Sequence, residues 1–176
     1  MKRGKKLIRN ICIIMILLGC MYYFGGFYLS KEECIKDSLR GLSAKENEVI
    51  AEVQNGKFIT SIVISEEEKM VALHGTIKYG PLYRTGSGSH GHKIDDDECI
   101  DVEGSWSHDR GTMVIVIYRN DKNIEKVEIK FEDGNTTSVD EWTKDFAVLS
   151  LETKDWVCGT YRAYDSVGNF IGEIEY

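Results

Sequence analysis

Proline is nearly missing from this chain: Pro81 is the only one among 176 residues, and no low-complexity tract accompanies it. A string of Pro-rich linkers and an extended disordered chain are both excluded, which leaves material for one unit with a sizeable core. Alanine is absent from positions 1 to 30, and so is every acidic residue. The first absence removes an A-x-A-like processing site from the N-terminal region. The second leaves Lys2, Arg3, Lys5, Lys6 and Arg9 as the only charges there. No G-x-S-x-G elbow occurs, so a hydrolase reading lacks the strained turn that presents its serine. Long helical patterns suited to parallel crossovers are missing as well, which excludes a parallel sheet.

What is present begins with an uncharged, mostly apolar run from Ile11 to Leu29, directly after the five basic residues. At the helical rise it spans roughly 28 Å, close to the thickness of a bilayer's hydrocarbon core. The excess of Lys and Arg before it predicts a retained anchor, with the N-terminus in the cytoplasm and everything after Leu29 outside. Tyr22, Tyr23, Phe24, Phe27 and Tyr28 suit the outer interface belt or a lipid-facing helix end. A second tether is also readable, because Leu17-Leu18-Gly19-Cys20 resembles the lipobox of bacterial lipoproteins, in which Cys20 would carry the lipid. Cleavage there would leave Met21 to Leu29, a Tyr-, Phe- and Gly-rich stretch instead of a polar tether, and would remove much of the spanning length. The retained anchor is therefore preferred.

All 29 Asp and Glu lie after position 30, against 17 of the 22 Lys and Arg, so that part of the chain carries a formal charge of −12. A field of that sign excludes a nucleic-acid partner, disfavours anionic lipid and suits solubility, cations or a basic partner. Ser30 to Leu42 reads as a short amphipathic helix, with an N-cap at Ser30, acids at Glu32 and Glu33, apolar Cys34, Ile35, Leu39 and Leu42, and an end near Gly41. From Glu48 the period becomes two. Strands are expected at Val49 to Val53, Phe58 to Ile64 and Val71 to Tyr79, with a hairpin turn at Asn55-Gly56. Met113 to Tyr118 is continuously apolar, as a central strand would be, whereas Val127, Ile129 and Phe131 alternate with charged residues, as on a strand with one wet face. Phe146 to Leu151 adds a strand, and Tyr161 to Tyr164 with Phe170 to Ile174 forms a hairpin around Asp165 to Asn169.

Some seven short strands predict a mainly β protein: an N-terminal transmembrane helix, a short juxtamembrane amphipathic helix, then an antiparallel Ig-like β-sandwich. The expected divisions are 1–10 cytosolic, 11–29 anchor, 30–46 helix and linker, and 47–176 the extracytoplasmic sandwich. The region from Met113 onward, with Ile117-Tyr118, Asn123 to Ile129, Phe131 to Gly134, Tyr164-Asp165 and Gly168 to Ile171, resembles a module of small membrane- or lipid-anchored proteins of Gram-positive bacteria. Ser30 to Ile35 and Tyr83 to His90 resemble the same group, although the Pro common near the start of its short helix is absent. The resemblance implies an extracytoplasmic protein of the cell envelope and supplies no catalytic residues.

Gly86-Ser87-Gly88-Ser89-His90-Gly91 satisfies G-x-G-x-x-G, yet it leads into Asp95-Asp96-Asp97-Glu98 instead of a helix N-terminus, so an exposed flexible loop is expected and a nucleotide site is not. Within nineteen residues stand His90, His92, Asp95, Asp96, Asp97, Glu98, Cys99, Asp101, Glu103 and His108, a set rich in zinc, copper or calcium ligands. Its spacing is neither that of a zinc ribbon nor of an EF-hand, and a solvated acidic loop is the plainer reading. His74 shares a strand face with Thr76 and Lys78, as an exposed strand histidine would. Of the three cysteines beyond the anchor, Cys99 and Cys158 are the expected disulfide, leaving Cys34 as a buried thiol or a dimer cross-link. A Cys/His nucleophile pair using Cys99 or Cys158 is the catalytic alternative. Trp106, Trp142 and Trp156 fall near turns, where they either stack on a cell-wall glycan or plug the core's ends. Asn135-Thr136-Thr137 matches a glycosylation acceptor that only a eukaryotic secretory pathway would use.

The sequence thus predicts a membrane-bound, non-enzymatic binding or structural module without a cofactor, engaging a protein or cell-wall partner through loops or a sheet edge. The competing reading is a metal- or cysteine-dependent envelope enzyme built on the His90 to His108 loop.

Overall fold

The computed structural model describes residues 2–39, 48–65, 69–88, 91–107 and 111–176. The N-terminal helix α1 (Lys2–Phe24) begins within the basic segment and ends at the aromatic cluster. It is the one described helix long and apolar enough to cross a membrane. The expected anchor reaches Leu29, but the helix stops five residues earlier. An added Cβ on Gly25 would come within 2.6 Å of the Met21 carbonyl, and Gly26 adopts a φ of +62°, which glycine tolerates best. Phe27 and Tyr28 then leave the helix and form strand β1 (Phe27–Tyr28) on the edge of a sheet.

Helix α2 (Lys31–Ser38) follows immediately, with the Ser30 hydroxyl accepting from the Glu33 N–H at 3.1 Å, as the N-cap residue predicts. Leu39 is its C-cap, and the expected end near Gly41 and the linker to 46 lie outside the described residues.

Three antiparallel sheets make up the rest, in keeping with the mainly β expectation. The first runs β1-β5-β4-β3-β2, with β2 (Glu48–Asn55), β3 (Phe58–Ser65), β4 (Met70–Tyr79) and β5 (Leu82–Gly88); β6 (His92–Lys93) also pairs with β4. The second runs β11-β8-β7, from β7 (Ile100–Ser107), β8 (Thr112–Arg119) and β11 (Phe146–Glu152). The third runs β10-β9-β12-β13, from β9 (Lys126–Phe131), β10 (Thr136–Val139), β12 (Gly159–Tyr164) and β13 (Phe170–Glu175).

Strand β8 explains how the sheets stack. Its odd residues Met113, Ile115 and Ile117 share a core with Val127, Ile129, Tyr161 and Ala163 of the third sheet. Its even residues Val114 and Val116 share another with Ile62, Ile64, Val71 and Leu73 of the first. A strand buried on both faces has no wet side to alternate, hence the continuous apolar run. The layers therefore number three, where an Ig-like sandwich has two. A third, smaller core joins Ile35 and Leu39 of α2 to Val63 and Ala72, so the first sheet is also covered on its outer face. Both β1 and α2 are built into the folded domain instead of linking to it. The domain accordingly starts before the expected boundary at 47.

Candidate functional site

The acidic loop is the first place where the sequence points to chemistry. Its C-terminal part is strand, because Ile100, Val102, Gly104 and Trp106 alternate with Asp101, Glu103, Ser105 and Ser107 along β7. Asp101 and Glu103 thereby face His92 on β6: Nε2 lies 2.9 Å from Asp101 Oδ1, and Nδ1 lies 3.7 Å from Glu103 Oε2. The second Asp101 oxygen accepts from the Asp95 N–H at 2.7 Å. Asp95 Oδ1 accepts from the Asp97 N–H at 3.0 Å, and Lys69 pairs with Asp96. Asn120 closes the loop by donating to the carbonyls of Asp95 and Glu98 at 2.7 and 2.8 Å. The carboxylates of Asp95, Asp96, Asp101 and Glu103 thus serve the loop's own backbone, Lys69 and His92. No group of three or more ligating side chains converges among the described residues. His90 and His108 lie outside them.

Up to Gly88 the glycine-rich stretch is not the flexible loop its composition suggests, since Leu82 to Gly88 is strand β5; Ser89 and His90 lie outside the described residues. A Cβ on Gly86 would stand 2.8 Å from the Phe58 ring, and one on Gly88 would stand 2.4 Å from the Leu73 carbonyl. These glycines let β5 press against β4 and the core, so their spacing answers to packing and not to a phosphate.

The structure corrects the reading of His74. It is buried at 5 % exposure, because α2 covers the sheet face that the alternation marks as polar. Nδ1 of His74 lies 2.9 Å from the Ser38 hydroxyl, which itself donates to the Ile35 carbonyl at 2.7 Å. Cys34 Sγ sits beside Thr85 Oγ1 at 3.5 Å, and Lys31 pairs with Glu52 at 2.6 Å, whose other contact is Ser61 Oγ at 3.2 Å. A serine touching a histidine has the grammar of a nucleophile and its base. Here the serine proton is committed to a helix carbonyl, and burial lowers the His74 pKa from 6.5 to about 4, which makes it a weak base near neutrality. The arrangement pins α2 to the sheet. Only a helix placed over β3 and β4 could have revealed it, and no local pattern in the sequence carries that placement.

The expected Cys99–Cys158 disulfide is not formed, and all five cysteines are free thiols. Cys99 packs against Gly172 on β13, whose cross-strand partner is Ala163. Cys158 precedes β12 by one residue, five positions before Ala163, which by strand rise places it roughly 17 Å further along the ladder. Burial raises the thiol pKa of Cys34 and of Cys99, which opposes a role as nucleophile at neutral pH. Trp106 and Trp142 pack against the core between the second and third sheets, with Trp142 Nε1 donating to the Glu125 carbonyl at 3.0 Å and Arg119 stacked 4.8 Å from its ring. Trp156 is more open, leaning on Tyr176 at 6.0 Å. The slot between the first two sheets, lined by Val53, Phe58, Thr60, Thr112 and Val114, has room for about 10 Å³, less than a small ligand needs.

The remaining feature is the junction of α1 with the domain. Leu7, Ile8, Ile11, Ile13, Ile14, Met15, Ile16 and Leu17 are each 49 to 65 % exposed, so no described part of the domain buries the apolar surface of α1. Only Gly25 and Gly26 separate that helix from β1, where Phe27 pairs with Arg84 and Tyr28 with Tyr83. A mainly β domain joined directly to one membrane-length helix is the class of molecule that these features define. Comparison with protein-family models, curated proteins and solved structures gives no match.

Proposed function

We propose that the protein is a single-pass module of the bacterial cell envelope, anchored by α1 with its N-terminus in the cytoplasm and its β domain outside, and that it binds or supports a partner without catalysis. The observation that carries this reading is the exposed apolar helix whose basic end is N-terminal and whose other end enters the first sheet two residues later. The kinship with small anchored proteins of Gram-positive bacteria belongs to the same proposal. Recognition would use an open edge such as β13 or β2, where backbone N–H and C=O groups are offered to an added strand. The polar clusters described above support non-enzymatic work, because their side chains are spent on capping, ion pairs and helix docking.

Reporter fusions test the orientation. An export-dependent phosphatase joined after Tyr176 is expected to be active, and a fusion that instead needs the cytoplasm for its signal would reverse the topology.

A further inference from the structure

We propose that the anchor-proximal end of the first sheet lies on the bilayer surface and binds the headgroups of anionic phospholipids. The proposal rests on α1 being a membrane anchor and adds a lipid-binding surface on the folded domain itself.

Charge is segregated within the domain. Residues 55–94 contain Lys57, Lys69, Lys78, Arg84 and Lys93, and their only acids are Glu66, Glu67 and Glu68 between β3 and β4, while the rest of 31–176 sets 12 Lys and Arg against 26 acids. That stretch builds β3, β4 and β5, the strands closest to the anchor. Three of the cations come together at one end of the sheet. Register aligns Phe27, Arg84, Ile77 and Phe58 in one row and Tyr28, Tyr83 and Lys78 in the next, and the Lys78 N–H reaches the Lys57 carbonyl at 2.7 Å.

Of the eleven other described cations after position 30, seven are neutralised by carboxylates (Lys31, Lys69, Arg119, Lys122, Lys126, Lys144 and Arg162), while Lys36, Lys93, Lys130 and Lys154 form no ion pair among the described residues. Lys57, Lys78 and Arg84 form none among the described residues. Two of them lie over rings instead, with Arg84 5.6 Å from the centroid of Phe27 and Lys78 5.9 Å from that of Tyr83. Tyr79, 45 % exposed, meets Phe27 edge-on at 5.7 Å. Aromatic rings beside unpaired cations are the composition of a membrane interface, where rings sit at headgroup depth and cations meet lipid phosphates.

Position agrees with composition. The three steps from Phe24 to Phe27 cover about 10 Å at most, and the headgroup layer is several ångströms thick, so Phe27 and the Arg84 and Tyr79 side chains against it fall at that depth. The acidic second and third sheets would be held further from an anionic surface, which turns the domain's overall negative charge from an obstacle into an orienting force.

The test places the full chain carrying Tyr79→Trp in lipid nanodiscs of phosphatidylcholine, with or without phosphatidylglycerol, the headgroup-proximal acyl positions being brominated. Quenching of the introduced indole is read against the wild-type chain, whose Trp106, Trp142 and Trp156 lie in the second and third sheets or the loops beside them. The expected result is at least about twofold more excess quenching in anionic discs, reduced to the neutral-disc value in 1 M salt and in the Lys57→Gln/Lys78→Gln/Arg84→Gln variant. Circular dichroism confirms that each variant is folded. A chain that enters the discs but shows equal excess quenching in both lipids, insensitive to salt, would overturn the lipid surface while leaving the anchor intact. A chain that fails to enter the discs would overturn the anchor and this surface with it.

Discussion

Nδ1 of His74 lies 2.9 Å from the hydroxyl of Ser38, so a strand residue and a helix residue are locked together across the smallest of the three cores. In the unfolded chain His74 takes up its proton near the ordinary 6.5, and in the fold burial delays this to about 4. Between those values the unfolded state binds more protons, so stability rises with pH across the window and is lost as pH falls from 6.5 toward 4. At about 1.4 kcal/mol per pKa unit, the effect is on the order of 3 kcal/mol or less. Urea titrations from pH 4 to 7 are expected to show that slope, and His74→Gln to flatten it. An unchanged slope in the variant would show that other groups produce it.

Gly88 tests whether the glycine-rich strand is a packing device. A Cβ there would meet the Leu73 carbonyl at 2.4 Å, and backbone cannot yield as a side-chain tip can. Gly88→Ala is expected to cost about 1–3 kcal/mol in denaturant unfolding, in the range of other overpacked sites. A neutral substitution would contradict the close approach of β5 to the Leu73 carbonyl.

Much of this fold is legible in the sequence because its strands carry their own signals. Phe58 to Ile64, Met113 to Tyr118 and the hairpin around Asp165 to Asn169 each stand where periodicity and turn residues put them. Strand β7 is hidden by its acids, although Ile100, Val102 and Trp106 keep a period of two through them. Strand β5 is hidden by glycines whose purpose is the approach of β4, a relation between distant segments that no local pattern records. His74 is misread for the same reason: the polar face of its strand is real, but α2 rather than water covers it. Three sheets in place of two could be suspected from the unbroken apolar run of β8 alone, since such a run demands a cover on each side.

The thiols give a simple chemical readout. The intact domain is expected to have the same mass before and after reduction. Cys34, fully buried, should resist a thiol reagent that modifies Cys99 and Cys158 under native conditions. A two-hydrogen mass difference assigned to Cys99 and Cys158 would contradict the separation of β12's start from Gly172.

His92 is engaged by Asp101 and Glu103, and the neighbouring carboxylates hold backbone N–H groups. Zinc, copper or calcium is therefore expected to leave the thermal midpoint unchanged at stoichiometric concentration. A saturable rise of several degrees that His92→Ala abolishes would establish a site that includes this loop.

If α1 stays on the chain and holds it in the membrane, protein extracted from carbonate-washed membranes has the intact mass of the uncleaved chain. Loss of residues 1 to 19 together with added acyl mass on Cys20, or recovery of the protein in the soluble fraction, would contradict a retained anchor.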